Sequence, residues 1–308
     1  MKLAAYQQQI RVDSLEKLES SPKKIQAELR ERALAGIRSA GELGVRAICL
    51  QELCDLPYFP ASNQPRWREL AEPLTENPFV RKIRAAARAF GMLIVLPVFE
   101  REGEQTFSSA IVIEEDGSVL GAVRKYPVGR GAGYFEKDFF GGEREPGYAV
   151  FEAKLGRIGV TLSRGGQFFK AAEKLAGELG VELIFNPRSQ LTSLSQGVLE
   201  VELARHAREW GYGLLMANRV GSELWPIGEW SGGSLILDRN GVILSQASAI
   251  QDELIMARMG DSRIEVSARA GLRLLSQVQA KLQARLPATA RVLLKKKKRP
   301  APSSTETT

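Results

Sequence analysis

The chain has 308 residues, 44% of them hydrophobic, so it is long enough to bury a large core in one domain or two. No apolar run approaches the ~20 residues that a membrane-spanning helix needs, and the chain opens with a strand-like segment rather than a charged and then apolar leader. We therefore expect a cytoplasmic protein with no membrane partner.

The rare residue types restrict the chemistry. The two cysteines, Cys49 and Cys54, are too few for a disulfide framework, and we interpret them as packing residues. With one histidine, His206, the nitrogen and sulfur ligands are too few and too scattered for a structural zinc site. Magnesium held by carboxylates would leave no sequence signature. We expect no metal and no cofactor.

Positive charge is concentrated near the end of the chain. The formal net charge is +7, and the run from Lys295 to Arg299 contains five of the basic residues, so the rest of the chain is only mildly basic. We predict a single domain over residues 1–286 and a basic, disordered tail over residues 287–308. Binding of nucleic acid or of an anionic surface through this tail is an alternative function. Nucleic acid is disfavoured as a partner, since no aromatic residues interleave with the charges to stack on bases.

Strands and helices alternate in the first part of the chain. The pattern predicts, in order, a strand at 2–7, a helix at 20–43, a strand at 45–52, a helix at 76–90, a strand at 92–98 and a hairpin at 110–125. Glu52 ends a continuously apolar strand, and Lys125 ends the hairpin. The glycine- and aromatic-rich loop that follows contains Glu136, and loops this long inside a domain commonly carry function.

Residues 156–180 predict a strand, a tight turn and a helix, and the turn contains Ser163. Gly165 and Gly166 tolerate the positive φ values that so short a connection requires. Ser163 would stand at the helix N-terminus, where N–H groups and the helix dipole favour developing negative charge. The same features describe a hydroxyl that merely caps the helix.

Alternation resumes after this turn. The pattern predicts a strand at 181–187, a helix at 197–210, a strand at 212–219, a hairpin at 232–246, a strand at 253–258 and a helix at 262–286. Two such halves predict an α/β fold in which two mixed sheets pack face to face with helices outside.

Five segments, in order, resemble blocks of a known family. LQELCDLPYF, VRKYPVGRGAGYFEKDFF, GRIGVTLSRGGQFFKAA, ARHAREWGYGLLMANRVG and WSGGSLILD are similar to segments of the nitrilase superfamily of carbon–nitrogen hydrolases, in its N-carbamoylputrescine amidase-like branch. The resemblance covers about residues 1–260. It implies a four-layer αββα sandwich that commonly forms homodimers and acts on small amide or carbamoyl compounds.

The resemblance also implies roles for individual residues. The family's general-base glutamate falls on Glu52, its essential lysine on Lys125 and its second glutamate on Glu136. In the family mechanism a cysteine thiolate attacks the amide carbon, and the lysine with a backbone N–H stabilises the oxyanion. The position of that cysteine falls on Ser163, and the next residue, a tryptophan in the family, is Arg164.

This departure predicts weak or absent amidase activity. A thiol has a pKa near ~8.5 that cations lower into the working range, whereas an alcohol stays protonated beside a carboxylate. Arg164 offers the N–H that could line an oxyanion hole, and its side chain would either occlude the pocket or recruit an anion. We therefore expect a small-ligand-binding pseudoenzyme, with an active serine-dependent amidase as the alternative.

A different hydrolase class also has a partial match. Ser163 and Gly165 fit the second half of the G-x-S-x-G nucleophile elbow, although Thr161 replaces the first glycine. His206 would have to be the base of that triad. We favour instead a histidine that packs within its helix.

Overall fold

The computed structural model of the chain describes residues 1–11, 14–129, 133–141, 146–192, 196–225 and 227–260. The predicted helix at 262–286 and the basic tail lie outside these residues. Within them, no helix is long and apolar enough to cross a membrane.

The helices and strands are numbered in chain order. The helices are α1 (Leu15–Ser20), α2 (Pro22–Glu42), α3 (Pro78–Phe90), α4 (Glu136–Phe139), α5 (Gly166–Glu173) and α6 (Gln196–Trp210). The strands are β1 (Lys2–Gln7), β2 (Ala47–Leu50), β3 (Leu93–Glu102), β4 (Gln105–Ile113), β5 (Val119–Arg124), β6 (Tyr148–Ala153), β7 (Gly156–Thr161), β8 (Leu183–Arg188), β9 (Gly213–Asn218), β10 (Val220–Ser222), β11 (Glu229–Ser231), β12 (Leu235–Leu237), β13 (Ile243–Gln246) and β14 (Glu253–Arg258).

Two six-stranded mixed sheets form the body of the molecule. The first has the order β14-β1-β2-β3-β4-β5 and the second β13-β12-β9-β8-β7-β6, while β10 and β11 form a separate pair. In each large sheet the central neighbours are parallel and the outer neighbours antiparallel. The carboxyl ends of parallel strands meet at one edge, so residues that follow these strands are brought together.

The inner faces of the sheets pack on each other, and the helices cover the outer faces. In β2, Ala47 and Cys49 face the second sheet, while Ile48 and Leu50 face α2 and α3. Because successive side chains of a strand point to opposite faces, a strand buried on both sides must be continuously apolar. The second sheet repeats this arrangement under α5 and α6. The predicted four-layer αββα sandwich is confirmed.

The structure also corrects several predicted boundaries. The helix predicted at 20–43 is α2, which begins at Pro22 and ends at Glu42, while the short α1 before it was not predicted. The strand β6 was not predicted, because its side chains are mostly half-buried and lack a clear alternation. The short pair β10 and β11 was not predicted either. Cys49 and Cys54 are buried free thiols, as expected of packing residues.

Candidate active site

The predicted site residues follow strand ends on both sheets. Glu52 comes two residues after β2, Lys125 directly after β5 and Ser163 two residues after β7, while Glu136 is the first residue of α4. All four are buried, with no more than 5% of any residue exposed. Buried polar side chains require partners, so their contacts define the site.

Lys125 joins two carboxylates. Its Nζ lies 2.7 Å from Oε1 of Glu52 and 2.8 Å from Oε1 of Glu136. Arg164 adds a second cation, since its Nη2 lies 3.4 Å from the same Glu136 oxygen. We call Glu52, Lys125, Glu136 and Arg164 the charge cluster. It holds two negative and two positive groups, so none of these buried charges is without an opposite charge nearby.

Glu136 is the most heavily bonded member of the charge cluster. Its Oε2 accepts the backbone N–H of Gly129 at 2.7 Å, and its Oε1 accepts the hydroxyl of Tyr58. Burial acts to raise its pKa, but the charges of Lys125 and Arg164, with the hydrogen bonds from Lys125 and Tyr58, outweigh burial and lower the pKa of Glu136 to about 2. Glu136 therefore stays ionised at neutral pH and fixes the ammonium of Lys125.

Glu52 has a different environment. Its Oε1 also accepts the hydroxyl of Ser108 at 3.0 Å. The loop that begins at Glu52 contains a left-handed residue, Leu53, with φ of 49°. Arg219 holds this loop, because its Nη2 donates to the carbonyl oxygens of Glu52 at 2.8 Å and Leu53 at 2.9 Å. The buried guanidinium of Arg219, the residue that follows β9, therefore fixes this strained backbone.

Arg164 is the partly exposed member of the charge cluster. Its guanidinium is 5.1 Å from the ring centre of Tyr134, and its Nη1 donates to the carbonyl oxygen of Ser189 at 3.4 Å. Burial acts to lower its pKa, but the neighbouring acidic groups, Tyr58, Glu136 and Glu52 among them, raise it. About a third of the side chain, 34%, remains exposed. Arg164 therefore both pairs with Glu136 and presents a permanent positive charge to solvent.

Ser163 is connected to the charge cluster by the next residue, Arg164, whereas its own hydroxyl bonds elsewhere. Among the described residues, the hydrogen-bond partner of the Ser163 hydroxyl is the hydroxyl of Thr161. Gly165, with φ of +56°, is the N-cap of α5, as the predicted tight turn requires. Asn186 holds the turn, since its Nδ2 donates to the carbonyl oxygens of Thr161 at 2.8 Å and Ser163 at 3.1 Å.

Sequence reasoning missed the residues that support the site from distant parts of the chain. Tyr58 follows Glu52 in the same loop, and its backbone N–H donates to Glu223 at 2.6 Å. Burial raises the pKa of Glu223, and Arg219 opposes that shift. The aromatic residues of the loop after Glu52 are a sequence signal that could have identified Tyr58 as a site residue. Nothing local to Glu223 shows that it would lie beneath that loop.

His206 does not contact Ser163. Its Nδ1 lies 2.9 Å from the hydroxyl of Tyr212, and its ring centre lies 5.1 Å from that of Phe169. Burial, followed by the charge of Arg205, lowers the pKa of His206. The histidine packs with the helices that cover the second sheet, so it cannot serve as the base that a serine–histidine triad requires.

Among the residues that the structure describes, no group of three or more His, Cys, Asp or Glu side chains is arranged to hold a metal ion. The members of the charge cluster pair with one another through ion pairs and hydrogen bonds. Their arrangement offers a cation, Lys125, to an oxygen that gains negative charge, and a carboxylate, Glu52, to accept a proton.

A family model described as carbon-nitrogen hydrolase matches residues 2–268. The chain belongs to the carbon-nitrogen hydrolase family. Among curated relatives, β-ureidopropionase from Arabidopsis thaliana is 32% identical over 62% of this chain and 47% of its own length. N-carbamoylputrescine amidase from Solanum tuberosum is 25% identical over 74% of this chain and 80% of its own. The chain therefore matches about half of the first relative and four-fifths of the second.

Solved structures of the family have the same fold. A carbon-nitrogen hydrolase from Helicobacter pylori G27 aligns with a TM-score of 0.70 and 22% identity, covering 91% of this chain and 92% of that one. An amidase from Nesterenkonia sp. AN1, in a complex of a double mutant with acrylamide, aligns with a TM-score of 0.68 and 20% identity, covering 89% and 96%. At this level of identity the likeness concerns the fold.

The lowered pKa of Glu136 predicts how stability depends on pH. The folded-state pKa of Glu136 is about 2, below its ordinary value of 4.5. Ionised Glu136 therefore stabilises the fold at pH values above 4.5, and this contribution is lost as the pH falls toward 2. The free energy of unfolding should fall between pH 6 and pH 3 by about 2 kcal/mol more in the wild type than in Glu136→Gln. Urea unfolding across this range measures the difference.

A matched control is available at the surface. The side chain of Glu152 is 75% exposed, so Glu152→Gln should keep the wild-type dependence on pH. Parallel curves for the wild type and Glu136→Gln would contradict a lowered pKa at Glu136.

Proposed function

We propose that this protein binds a small amide or carbamoyl compound at the charge cluster, and that it hydrolyses the compound weakly or not at all because a serine, Ser163, stands at the nucleophile position. In this proposal Lys125 binds the carbonyl oxygen of the ligand. Glu52 is the proton acceptor and Glu136 fixes Lys125 between the two carboxylates.

The observation that carries this proposal is the position of Lys125. Its buried Nζ contacts Glu52 at 2.7 Å and Glu136 at 2.8 Å, and Glu136 also contacts Arg164, the residue that follows Ser163. A buried ammonium bound to two carboxylates is costly to assemble, since each ion must lose its hydration. A site with this arrangement is suited to binding a polar group such as an amide.

The relatives support the class of ligand. The names of two of them, β-ureidopropionase and N-carbamoylputrescine amidase, denote enzymes of ureido and carbamoyl compounds. In one Nesterenkonia amidase structure, fluoroacetamide has added its acetamide moiety covalently at the active-site cysteine. We infer that the ligand of this chain belongs to the same class.

The weak or absent turnover follows from the atom that Ser163 supplies. The thiol of a cysteine ionises near neutral pH when cations are close, but the alcohol of a serine does not. The alcohol must lose its proton as it attacks, and the carboxylate of Glu52 is a poor base for it. Loss of a nucleophile typically costs several powers of ten in rate, with residual catalysis from binding and oxyanion donors.

Ammonia release from a panel of aliphatic amides and carbamoyl compounds tests the proposal. The wild type should stay near background and close to Ser163→Ala. Ser163→Cys should exceed the wild type by at least about tenfold, because it restores a nucleophile that can ionise. Ser163→Cys with Arg164→Trp should exceed the single variant, since it also replaces the guanidinium beside the nucleophile with the aromatic residue that the family has there. Robust wild-type turnover that Ser163→Ala abolishes would instead identify a serine-dependent amidase.

We also propose that the protein forms a homodimer through α6. Val198 on this helix is 46% exposed, although it is apolar. Sedimentation at micromolar concentration should show a dimer, and Val198→Asp should shift it toward the monomer. Ile250 is 77% exposed in a loop outside α6, so Ile250→Asp is the matched control and should leave the dimer intact. A wild-type monomer at these concentrations would contradict the proposal.

A further inference from the structure

Thr161, the last residue of β7, contacts the proposed nucleophile twice. Its Oγ1 accepts the backbone N–H of Ser163 at 3.2 Å and also contacts the Ser163 hydroxyl. The Thr161 side chain is fully buried, and Ser163 is only 5% exposed. Water therefore does not compete for these hydrogen bonds.

Counting protons fixes the direction of the contact between the two hydroxyls. A hydroxyl has one proton to donate and two lone pairs that accept. The Thr161 hydroxyl lies 3.0 Å from the carbonyl oxygen of Gly147, and a carbonyl only accepts, so the proton of Thr161 goes there. Both lone pairs of Thr161 are then taken by Ser163, one by its N–H and one by its O–H.

The consequence concerns the reactivity of Ser163. Its proton is directed to an alcohol oxygen that is no base, while the proton acceptor of the proposed site is Glu52. We propose that Thr161 is a positioning residue that holds the Ser163 hydroxyl in an unreactive orientation, an inference that rests on the proposed place of Ser163 at the nucleophile position. Ser163 has to leave Thr161 before it can attack a ligand carbonyl.

Neighbouring contacts keep this arrangement in place. Asn186 donates to the carbonyl oxygens of both Thr161 and Ser163, at 2.8 and 3.1 Å, so the backbone on either side of the contact is held. Thr161 pairs with Tyr148 across the ladder of β6 and β7, next to Gly147. The two hydroxyls therefore meet because the backbone places them together.

Labelling with a small alkyl fluorophosphonate tests this inference without an amide ligand. The Ser163 oxygen forms a bond to phosphorus, the phosphorus–fluorine bond breaks, fluoride leaves, and the hydroxyl proton passes to the carboxylate of Glu52. Intact-mass measurements give the labelling rate. Thr161→Val should label three- to tenfold faster than the wild type, about the effect of one hydrogen bond to the ground state. Thr161→Ser keeps the hydroxyl and should label as the wild type does.

Two controls separate positioning from a loss of structure. Thr161→Val and Thr161→Ala should both melt at a lower temperature than the wild type, because Gly147 and Ser163 each lose a buried partner. If Thr161 had only a structural role, its replacement would leave labelling unchanged or slow it. A labelling rate of Thr161→Val or Thr161→Ala no higher than that of the wild type would therefore overturn the inference. Ser163→Ala must lose the label.

An atomic-resolution crystal structure of the wild type provides a test that needs no variant. The Ser163 hydroxyl should lie within hydrogen-bond distance of Thr161, and a Ser163 rotamer that faces Glu52 would overturn the inference. Because neither experiment requires amide binding, failure of this inference and failure of the proposed function can be told apart. If amides bind but Thr161→Val does not label faster, only the positioning role is lost.

Discussion

The structure of the site depends on one interaction, the contact of Lys125 with two buried carboxylates. Removing either carboxylate would leave a buried ammonium short of a partner, and breaking a buried ion pair in this way typically costs about 3–5 kcal/mol. Glu136 is held ionised by Lys125, Arg164 and Tyr58, with a pKa of about 2. The loop that brings Glu52 to Lys125 is in turn held by Arg219. The positions of the surrounding loops therefore follow from the need to pair these charges.

The sandwich is what brings these groups together. Glu52 and Lys125 follow strands of the first sheet, and Ser163 and Arg164 follow a strand of the second. Because the sheets pack face to face, residues from both meet at one edge. The apolar layers fix the distance between the sheets, and the charged residues occupy the edge where the strands end. A family with this architecture can change its chemistry at the edge without changing the core.

The sequence predicted the layers well because apolar periodicity records burial. The continuous apolar run that ends at Glu52 follows from a strand covered on both faces, and the glycines after Ser163 follow from a short turn into a helix. The contacts between distant residues were not predictable in this way. Nothing near Thr161 in the sequence shows that its hydroxyl would accept a hydrogen bond from Ser163, since that depends on Gly147 accepting from Thr161 across the sheet. The resemblance to a family indicated which residues to compare, but the structure shows what each one contacts.

In the proposed function, the charge cluster binds a small amide beside Ser163. A crystal structure of Ser163→Ala soaked with butyramide is the sharpest test of this binding, because the ligand is then observed without turnover. We expect an amide whose carbonyl oxygen accepts from Nζ of Lys125 and whose carbonyl carbon lies next to residue 163. A site that stays empty at saturating butyramide, or an amide bound away from Lys125 and Glu52, would refute the proposed binding site.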